Sequence, residues 1–226
     1  MNPLRLAVCG AEGRVGSRVC ALAEADARVR SVARIGRADA AAFLKGPVQA
    51  DAVIDFSRPE ATVRFAHACA RSRVAFVTGV TALSASQRAR LAAAARRIPV
   101  FAAPNFSRGA AALERLARAA AEILAGWDAA IVETHRAGKR DAPSGTALSL
   151  SHAAAGAGAP PPISSLRVGT VPGDHALTFA GADERVELVH RAESRDAFAR
   201  GALDAAAWIV GRKAGLYSMV DLLERP

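Results

Sequence analysis

Short apolar runs alternate with longer alanine-rich stretches over the first hundred residues of the chain. The short runs predict strands, and the longer stretches, where apolar residues recur every three or four positions, predict helices. The predicted strands are 4–8, 29–33, 52–56, 75–78 and 99–102. Strands separated by helices favour parallel pairing, with helices on both faces of the sheet. The pattern therefore predicts an α/β domain built on a doubly wound parallel sheet.

The pattern changes after residue 106. A linking helix at 110–124 precedes a strand at 129–132 and an Ala/Leu-rich helix at 147–155. Three more short strands follow, at 165–168, 176–180 and 185–192, and the last of them alternates apolar and polar residues. Such alternation favours a mixed sheet over further parallel units. The predicted divisions are 1–106, 107–194, and a C-terminal helix and tail at 195–226.

The charge of the chain admits a second class of function. A formal net charge of +9 and a pI near 10.8 fit a nucleic-acid partner, which is one alternative. However, the arginines are spread through helical stretches with acidic residues between them, and no basic tail or aromatic stacking pattern accompanies them. Solvated helix faces, and steering of small polyanionic ligands, explain the charge better. We therefore predict no nucleic-acid partner.

The apolar runs and the cysteine spacing indicate the compartment of the protein and whether it binds a metal. The sequence contains no long uncharged apolar run and no basic-then-apolar leader, which predicts a protein that is neither membrane-spanning nor secreted. Cys9, Cys20 and Cys69 have neither metal-ligand nor disulfide spacing, as expected of reduced thiols. These observations predict a cytoplasmic protein without a bound metal.

A glycine-rich turn directly follows the first predicted strand. It contains Gly10-Ala11-Glu12-Gly13-Arg14-Val15-Gly16 and leads into a helix. Strand, glycine turn and helix form the context of a dinucleotide site, because glycines let the backbone approach the pyrophosphate at the helix N-terminus. The second strand is followed by no acidic residue for a ribose hydroxyl, but by Arg34 and Arg37. A guanidinium favours a 2′-phosphate, so NADPH is predicted over NADH.

The segment from Glu133 to Ala147 concentrates groups that move protons and bind anions. His135 titrates near neutral pH, Lys139 can donate a proton, and Arg136 can hold a carboxylate. The following helix opens with Ser144-Gly145-Thr146, whose backbone N–H groups suit a second anion. Of the 30 basic residues only Lys45, Lys139 and Lys213 are lysine, so a lysine kept at 139 suggests that its proton matters. The loop predicts a pocket for a small dianionic acid.

This loop resembles the signature of the 4-hydroxy-tetrahydrodipicolinate reductase (dihydrodipicolinate reductase) family, nicotinamide-dependent enzymes of the diaminopimelate route to lysine. The resemblance extends over most of the chain, with a shortened 35–50 region. Four further segments carry it, namely Gly10 to Gly16, Asp55-Phe56-Ser57-Arg58-Pro59, Gly79-Val80-Thr81 and Ala103-Pro104-Asn105-Phe106-Ser107.

The resemblance implies a Rossmann-type dinucleotide-binding domain at 1–106, a smaller α+β substrate-binding and catalytic domain at 107–194, and a tail that returns to the first domain. It implies hydride transfer from NADPH or NADH to the ring derived from hydroxy-tetrahydrodipicolinate, with loss of water. His135 and Lys139 are the implied catalytic residues, and Arg136, Gly145 and Thr146 the implied substrate ligands. The implied cofactor residues are Gly10, Ala11, Glu12, Gly13, Arg14, Val15, Arg34, Gly79, Val80, Thr81, Ala103, Pro104, Asn105 and Phe106. A homotetramer is the family's habit.

The sequence departs from the family pattern at two notable places. Arg136 stands where the family usually has a second histidine that touches the substrate, and Val80 replaces a threonine. The segment 167–175, with His190 and Arg195, matches the family's later pattern and is assigned a structural or intersubunit role. Two alternatives remain: a nicotinamide-dependent amino- or imino-acid dehydrogenase on the same fold, and a nucleotide-binding relic without catalysis.

Overall fold

The computed structural model describes residues 3–156 and 158–224. The chain packs as two units, of which one comprises the chain up to Phe106 together with the chain from Arg195 onward. The other unit is Ser107–Ser194. Each unit has its own sheet and its own apolar core.

The first unit is built on a six-stranded parallel sheet in the order β10-β5-β4-β3-β1-β2. Its strands are β1 (Leu4–Cys9), β2 (Val29–Ile35), β3 (Ala52–Asp55), β4 (Ala75–Thr78), β5 (Pro99–Ala102) and β10 (Gly215–Tyr217). Its helices are α1 (Gly16–Glu24), α2 (Ala40–Lys45), α3 (Pro59–Ser72), α4 (Ala85–Ala95), α7 (Asp196–Ile209) and α8 (Met219–Leu223). The predicted α/β class and Rossmann-type parallel sheet are confirmed.

Burial explains the unbroken apolar character of the central strands. Every residue of β3 and β4 is buried, as expected of parallel strands covered on both faces. Val53, Phe76 and Val100, on three adjacent strands, share one core cluster with Phe65 of α3. Burying a side chain of this size contributes about 1.5–3 kcal/mol. The core therefore holds the strands in register, so that their carboxyl ends meet at one edge.

The second unit is a four-stranded mixed sheet covered by two helices, as the alternation predicted. Its elements are α5 (Arg108–Ile123), β6 (Asp128–His135), α6 (Gly145–Ala154), β7 (Ile163–Arg167), β8 (Asp174–Ala180) and β9 (Arg185–Arg191). The strand order is β7-β6-β8-β9, with β7 parallel to β6 and the other pairs antiparallel. Leu113 of α5 and Leu150 of α6 share a buried cluster with Ile131 and Leu177 of the sheet.

Some boundaries differ from the prediction. β6 continues past the predicted end at 132 to His135, because Glu133 and His135 pair with polar partners on neighbouring strands and need no loop. α6 begins at Gly145, since Ser144 caps the helix. The short elements α2, β10 and α8 were not predicted. No helix within the described residues has the length and apolar character needed to cross a membrane.

Candidate active site

The glycine turn between β1 and α1 has the geometry of an anion-binding loop. Gly10 has a φ of +75°, and a β-carbon there would lie 2.7 Å from the carbonyl oxygen of Phe56. The amide of Gly10 donates to the carbonyl of Ile35 at 3.0 Å, and that of Gly13 donates to Gly10 at 2.9 Å. Val15, the N-cap residue of α1, makes no capping hydrogen bond through its side chain to the described residues, and the initial N–H groups of a helix attract anions. Ala11, Glu12, Arg14 and Val15 lie in the same turn.

Two further predicted segments lie at the same edge of the first sheet. Gly79-Val80-Thr81 follows β4, and Ala103-Pro104-Asn105-Phe106 follows β5. The amide of Gly79 donates to the Asp55 carbonyl at 2.9 Å, and that of Ala103 to the Thr78 carbonyl at 3.2 Å. Dinucleotides bind at the carboxyl edge of such sheets. The structure thus gathers these segments where a cofactor is expected.

The side chains of Phe106 and Arg34, both predicted to contact the cofactor, contact other side chains of the protein. Phe106 is only 1% exposed and packs against Phe56 and Phe101, at ring-centroid distances of 5.6 and 5.7 Å. Any contact of Phe106 with a cofactor would therefore use its backbone. Arg34, near the end of β2, donates through Nε and Nη2 to Glu24 at 3.1 and 2.7 Å. Both side chains are more than half exposed, so Arg34 can leave Glu24 for another partner at a small cost in free energy.

In the second unit, β6 carries a line of side chains on one face. The two-residue period of a strand places Ile131, Glu133 and His135 on the same side, where all three are buried. In the sheet register Glu133 lies opposite His175. His175 in turn lies opposite His190 on β9. The register therefore creates a row of titratable groups across three strands.

Glu133 organises this row. It is fully buried, its Oε2 contacts Nδ1 of His135, and its Oε1 accepts from Nη2 of Arg167 at 2.7 Å. The backbone N–H of Ser144 also reaches Oε1, at 3.4 Å. Burial raises the pKa of Glu133, but the hydrogen bond from Arg167 and the interaction with His135 outweigh it and lower the pKa to about 2. The carboxylate is ionised at neutral pH.

The ionised carboxylate fixes the protonation of His135. Since a carboxylate only accepts hydrogen bonds, Nδ1 of His135 carries the proton and Nε2 keeps a lone pair. Burial lowers the pKa of His135, and the charges of Lys139 and Arg167 lower it further against the opposing effect of Glu133. The imidazole is neutral near pH 7. A β-carbon at residue 173 would lie 2.9 Å from Nε2, so Gly173 leaves that acceptor room.

His175 lies behind His135. Its side chain is 1% exposed, neither ring nitrogen has a hydrogen-bond partner among the described residues, and its ring centroid lies 5.3 Å from that of His135. Burial, together with the positive charges that His135 and His190 can carry, lowers the pKa of His175 to about 4. His175 is therefore neutral near pH 7.

Glu133, His135 and His175 also present ligand-type atoms within 4.8 Å of one another. Such a group could hold a metal ion. However, both oxygens of Glu133 are engaged, one by His135 and one by Arg167, and the Arg167 guanidinium would repel a cation. The donor set fits an internal hydrogen-bond network better than a metal site.

The loop between β6 and α6 holds the remaining predicted residues of the active site. Nζ of Lys139 donates to both carboxylate oxygens of Asp141, at 2.8 and 2.7 Å. Arg167 donates to the backbone oxygen of Asp141 at 2.6 Å, which ties the loop to β7. A β-carbon at Gly138 would lie 2.7 Å from Nη1 of Arg136, so the Arg136 side chain lies across that glycine.

Helix α6 contributes the anion-binding positions of this site. Oγ of Ser144 accepts from the amide of Ala147 at 3.2 Å and caps the helix. Gly145 and Thr146 are consequently its first two residues, where backbone N–H groups lack acceptors within the helix. His135, Arg136, Lys139, Gly145 and Thr146 all belong to the end of β6, the loop after it and the start of α6.

The sequence pattern indicated no chemical role for Glu133, Arg167 or His175. The segment 167–175 was predicted to be structural, yet Arg167 binds the carboxylate that contacts His135, and His175 packs against His135. The spacing of Glu133 and His135 was an available signal, because two polar residues one strand period apart in an apolar strand share a face. Their partners depend on the register of the strands, which the sequence does not display.

Comparison with known proteins agrees with this arrangement. The family models for the N-terminus and the C-terminus of dihydrodipicolinate reductase match residues 4–106 and 109–223. The 4-hydroxy-tetrahydrodipicolinate reductase of Stenotrophomonas maltophilia (strain K279a) is 46% identical, with 99% of each chain covered. The enzyme of the same name from Xanthomonas euvesicatoria pv. vesicatoria is 44% identical, with 98% of each chain covered.

A solved structure supports the fold. The dipicolinate-bound dihydrodipicolinate reductase of Paenisporosarcina sp. TG-14 has a TM-score of 0.76 at 20% identity, and the match covers 96% of this chain and 97% of that one. The similarity over both halves confirms the family predicted from the 133–147 loop, and it counts against the dehydrogenase alternative. The chain belongs to the dihydrodipicolinate reductase family of NAD(P)H-dependent enzymes.

Proposed function

We propose that this chain reduces 4-hydroxy-tetrahydrodipicolinate to tetrahydrodipicolinate with loss of water, at the β6–α6 loop, using NADPH or NADH. The observation that carries the proposal is the buried pair of Glu133 and His135, together with the positive charge of Lys139, which acts on the imidazole and lowers its pKa. The neutral imidazole of His135 can accept a hydrogen bond, and the ammonium group of Lys139 can donate a proton. Together these two groups suit the delivery of a proton to a substrate. The relatives named for this reaction support the choice of substrate.

Two anion-binding groups suit the two carboxylates of the substrate. The guanidinium of Arg136 can hold one carboxylate bidentately and stays charged at every working pH. The backbone N–H groups of Gly145 and Thr146 and the Thr146 hydroxyl are proposed to hold the other, at the positive end of α6. Binding both carboxylates fixes the ring relative to Lys139.

The bound nicotinamide cofactor supplies the hydride. Hydride addition leaves electron density on the adjacent ring carbon, and that carbon must gain a proton. Lys139 is proposed to donate it from Nζ, which requires Nζ to exchange Asp141 for the substrate. Nε2 of His135 can accept a hydrogen bond and so orient the ammonium group or a water. General acid catalysis of this kind contributes roughly 100 to 10,000-fold in rate.

The first unit is proposed to hold the cofactor. The uncapped start of α1 would hold the pyrophosphate, and the segments 79–81 and 103–106 would contact the nicotinamide half. The glycine turn supports this assignment, because a side chain at Gly10 would collide with Phe56 and displace the loop.

We also propose a cytoplasmic homotetramer. The face of the second sheet opposite α5 and α6 carries exposed Val132 and Val189, which flank Ala176 in one row of the register. Exposed Leu166 extends this apolar surface onto β7. Apolar surface of this kind is typical of subunit contacts. The free, buried cysteines fit a reducing compartment.

One assay tests the reaction. Oxidation of NADPH, and separately of NADH, is followed by absorbance with freshly prepared 4-hydroxy-tetrahydrodipicolinate. The wild-type chain is expected to turn over, and Lys139→Ala should lose about 100-fold or more in kcat. Lys213→Ala, at an exposed lysine, serves as the matched control and should behave as wild type. A wild-type chain that binds both ligands without turnover would contradict the proposal.

A further inference from the structure

The residue directly after β2 is a glycine, which cannot supply the acidic side chain that usually binds the adenosine ribose. In dinucleotide-binding folds an acidic residue about twenty positions after the glycine motif accepts from the ribose 2′-hydroxyl. Here β2 ends at Ile35, whose carbonyl accepts from the glycine turn, and the next residue is Gly36. Glycine has no side chain with which to bind a hydroxyl.

Another carboxylate fills the vacant space. Oε1 of Glu12, from the glycine turn, lies 2.7 Å from the point where a β-carbon of Gly36 would stand, and Cδ lies 2.9 Å from it. A side chain at residue 36 would therefore require the carboxylate end of Glu12 to move away. Because residue 36 is a glycine, the carboxylate of Glu12 lies at the position beside the end of β2 that a side chain of residue 36 would occupy.

The surrounding charges add to the effect of Glu12. Oδ2 of Asp39 accepts from the amide of Gly36 at 3.0 Å, which brings a second carboxylate to the same turn. Arg34, the cation predicted to receive a 2′-phosphate, forms an exposed ion pair with Glu24, whose negative charge balances its own. Arg37 is an exposed cation directly after Gly36, and one guanidinium does not offset two carboxylates.

We propose that Glu12 is a specificity-determining residue of the cofactor site, and that it makes NADH the preferred cofactor. Its carboxylate accepts hydrogen bonds from the ribose hydroxyls of NADH and repels the 2′-phosphate of NADPH. This preference replaces the NADPH preference predicted from Arg34. The inference rests on the proposed use of NAD(P)H by this chain.

The test measures the dissociation constants of NADH and NADPH by calorimetry, without substrate, for the wild type, Glu12→Gln and Glu24→Gln. The wild type is expected to bind NADH more tightly. Glu12→Gln should strengthen NADPH binding about five- to tenfold, because a like charge is removed, and should weaken NADH binding a few-fold. Glu24→Gln is the matched control, since it removes the same charge from the pair with Arg34, and should leave the ratio unchanged.

Two results would overturn the inference. One is a ratio of the two dissociation constants that Glu12→Gln leaves unchanged. The other is a shift of this ratio in favour of NADPH in Glu24→Gln but not in Glu12→Gln, which would mean that Arg34 binds the 2′-phosphate. A thermal melt confirms that each variant is folded. Because binding is measured without substrate, failure of the proposed reaction leaves this test intact, and the two failures are distinguishable.

Discussion

Glu133 and His135, two residues apart on β6, form a buried hydrogen bond between a carboxylate oxygen and Nδ1. The same carboxylate accepts from Arg167 through its other oxygen. Arg167 also binds the backbone of the loop that carries Lys139 and Asp141. One buried carboxylate therefore sets the tautomer of the histidine and, through Arg167, holds the loop that carries the lysine.

Replacement of Glu133 by glutamine should reverse this tautomer. The amide oxygen would remain toward Arg167, so its NH2 group would face Nδ1 of His135 and donate to it. The proton of His135 would move to Nε2, and the acceptor beside Lys139 would be lost. We expect kcat to fall about 100-fold with little change in KM for the cofactor.

Nitrogen NMR of the His135 ring checks the Glu133→Gln prediction, because the two tautomers have different shifts. A merely structural role for Glu133 would lower stability without changing the tautomer. Glu133→Asp serves as the conservative variant that keeps the charge, and it should retain the Nδ1–H tautomer. A wild-type tautomer in Glu133→Gln would contradict the proposed role.

The stability of the protein should fall in acid through His175. Its pKa is lowered from 6.5 to about 4, so the folded state binds fewer protons than the unfolded state between those values. The stabilising effect is complete above pH 6.5 and is lost as the pH falls toward 4. At about 1.4 kcal/mol per pKa unit, the loss is on the order of 3 kcal/mol.

Urea unfolding at pH 7 and at pH 4.5 measures this loss. His175→Gln cannot gain the proton, so its free energy of unfolding should change less between the two pH values. The same substitution at exposed His67 is the matched control and should reproduce the wild-type difference. An equal loss of stability in His175→Gln and wild type would refute the assignment.

Glu133 adds a separate loss of stability at lower pH, as the pH falls from about its unfolded pKa of 4.5 to its folded pKa of about 2.

Arg136 should contribute to substrate affinity more than to turnover. Arg136→Ala removes the proposed carboxylate ligand, and a hydrogen bond to a charged group contributes about 1.5–3 kcal/mol. We expect KM for the substrate to rise roughly 10- to 100-fold, while kcat changes less. Steady-state kinetics of Arg140→Ala, an exposed arginine in the same loop, provide the control. Equal effects of the two variants would show that only the net charge of the loop matters.

A methyl group at Gly201 should displace α7 from its packed position against the backbone of Phe106 in the first unit. A β-carbon at this position would overlap the carbonyl oxygen of Phe106 and lie 2.8 Å from its carbonyl carbon. Gly201→Ala should therefore lower the free energy of unfolding by about 2 kcal/mol, although alanine favours the helix by about 1 kcal/mol. Gly46→Ala is the control, because no atom lies within 4 Å of its β-carbon position. A Gly201→Ala variant as stable as wild type in urea would contradict the packing.

Local chemistry explains which parts of the structure were predictable. The apolar runs of β3 and β4 identified buried parallel strands, because each run is local in the sequence. The glycine turn after β1 was readable because strand, glycines and helix lie next to one another in sequence. Short elements such as β10 escaped prediction, since their pairing with distant strands stabilises them more than their own residues do.

The sequence alone determined the fold class, the family, and the loop that carries His135, Arg136 and Lys139, because each depends on neighbours along the chain. The tertiary structure decided what those side chains contact. Glu133 lies opposite His175 only through the antiparallel register of β6 and β8, and Glu12 lies against Gly36 only because the glycine turn binds the end of β2. Protonation and charge depend on such contacts between distant residues, which local sequence patterns do not record.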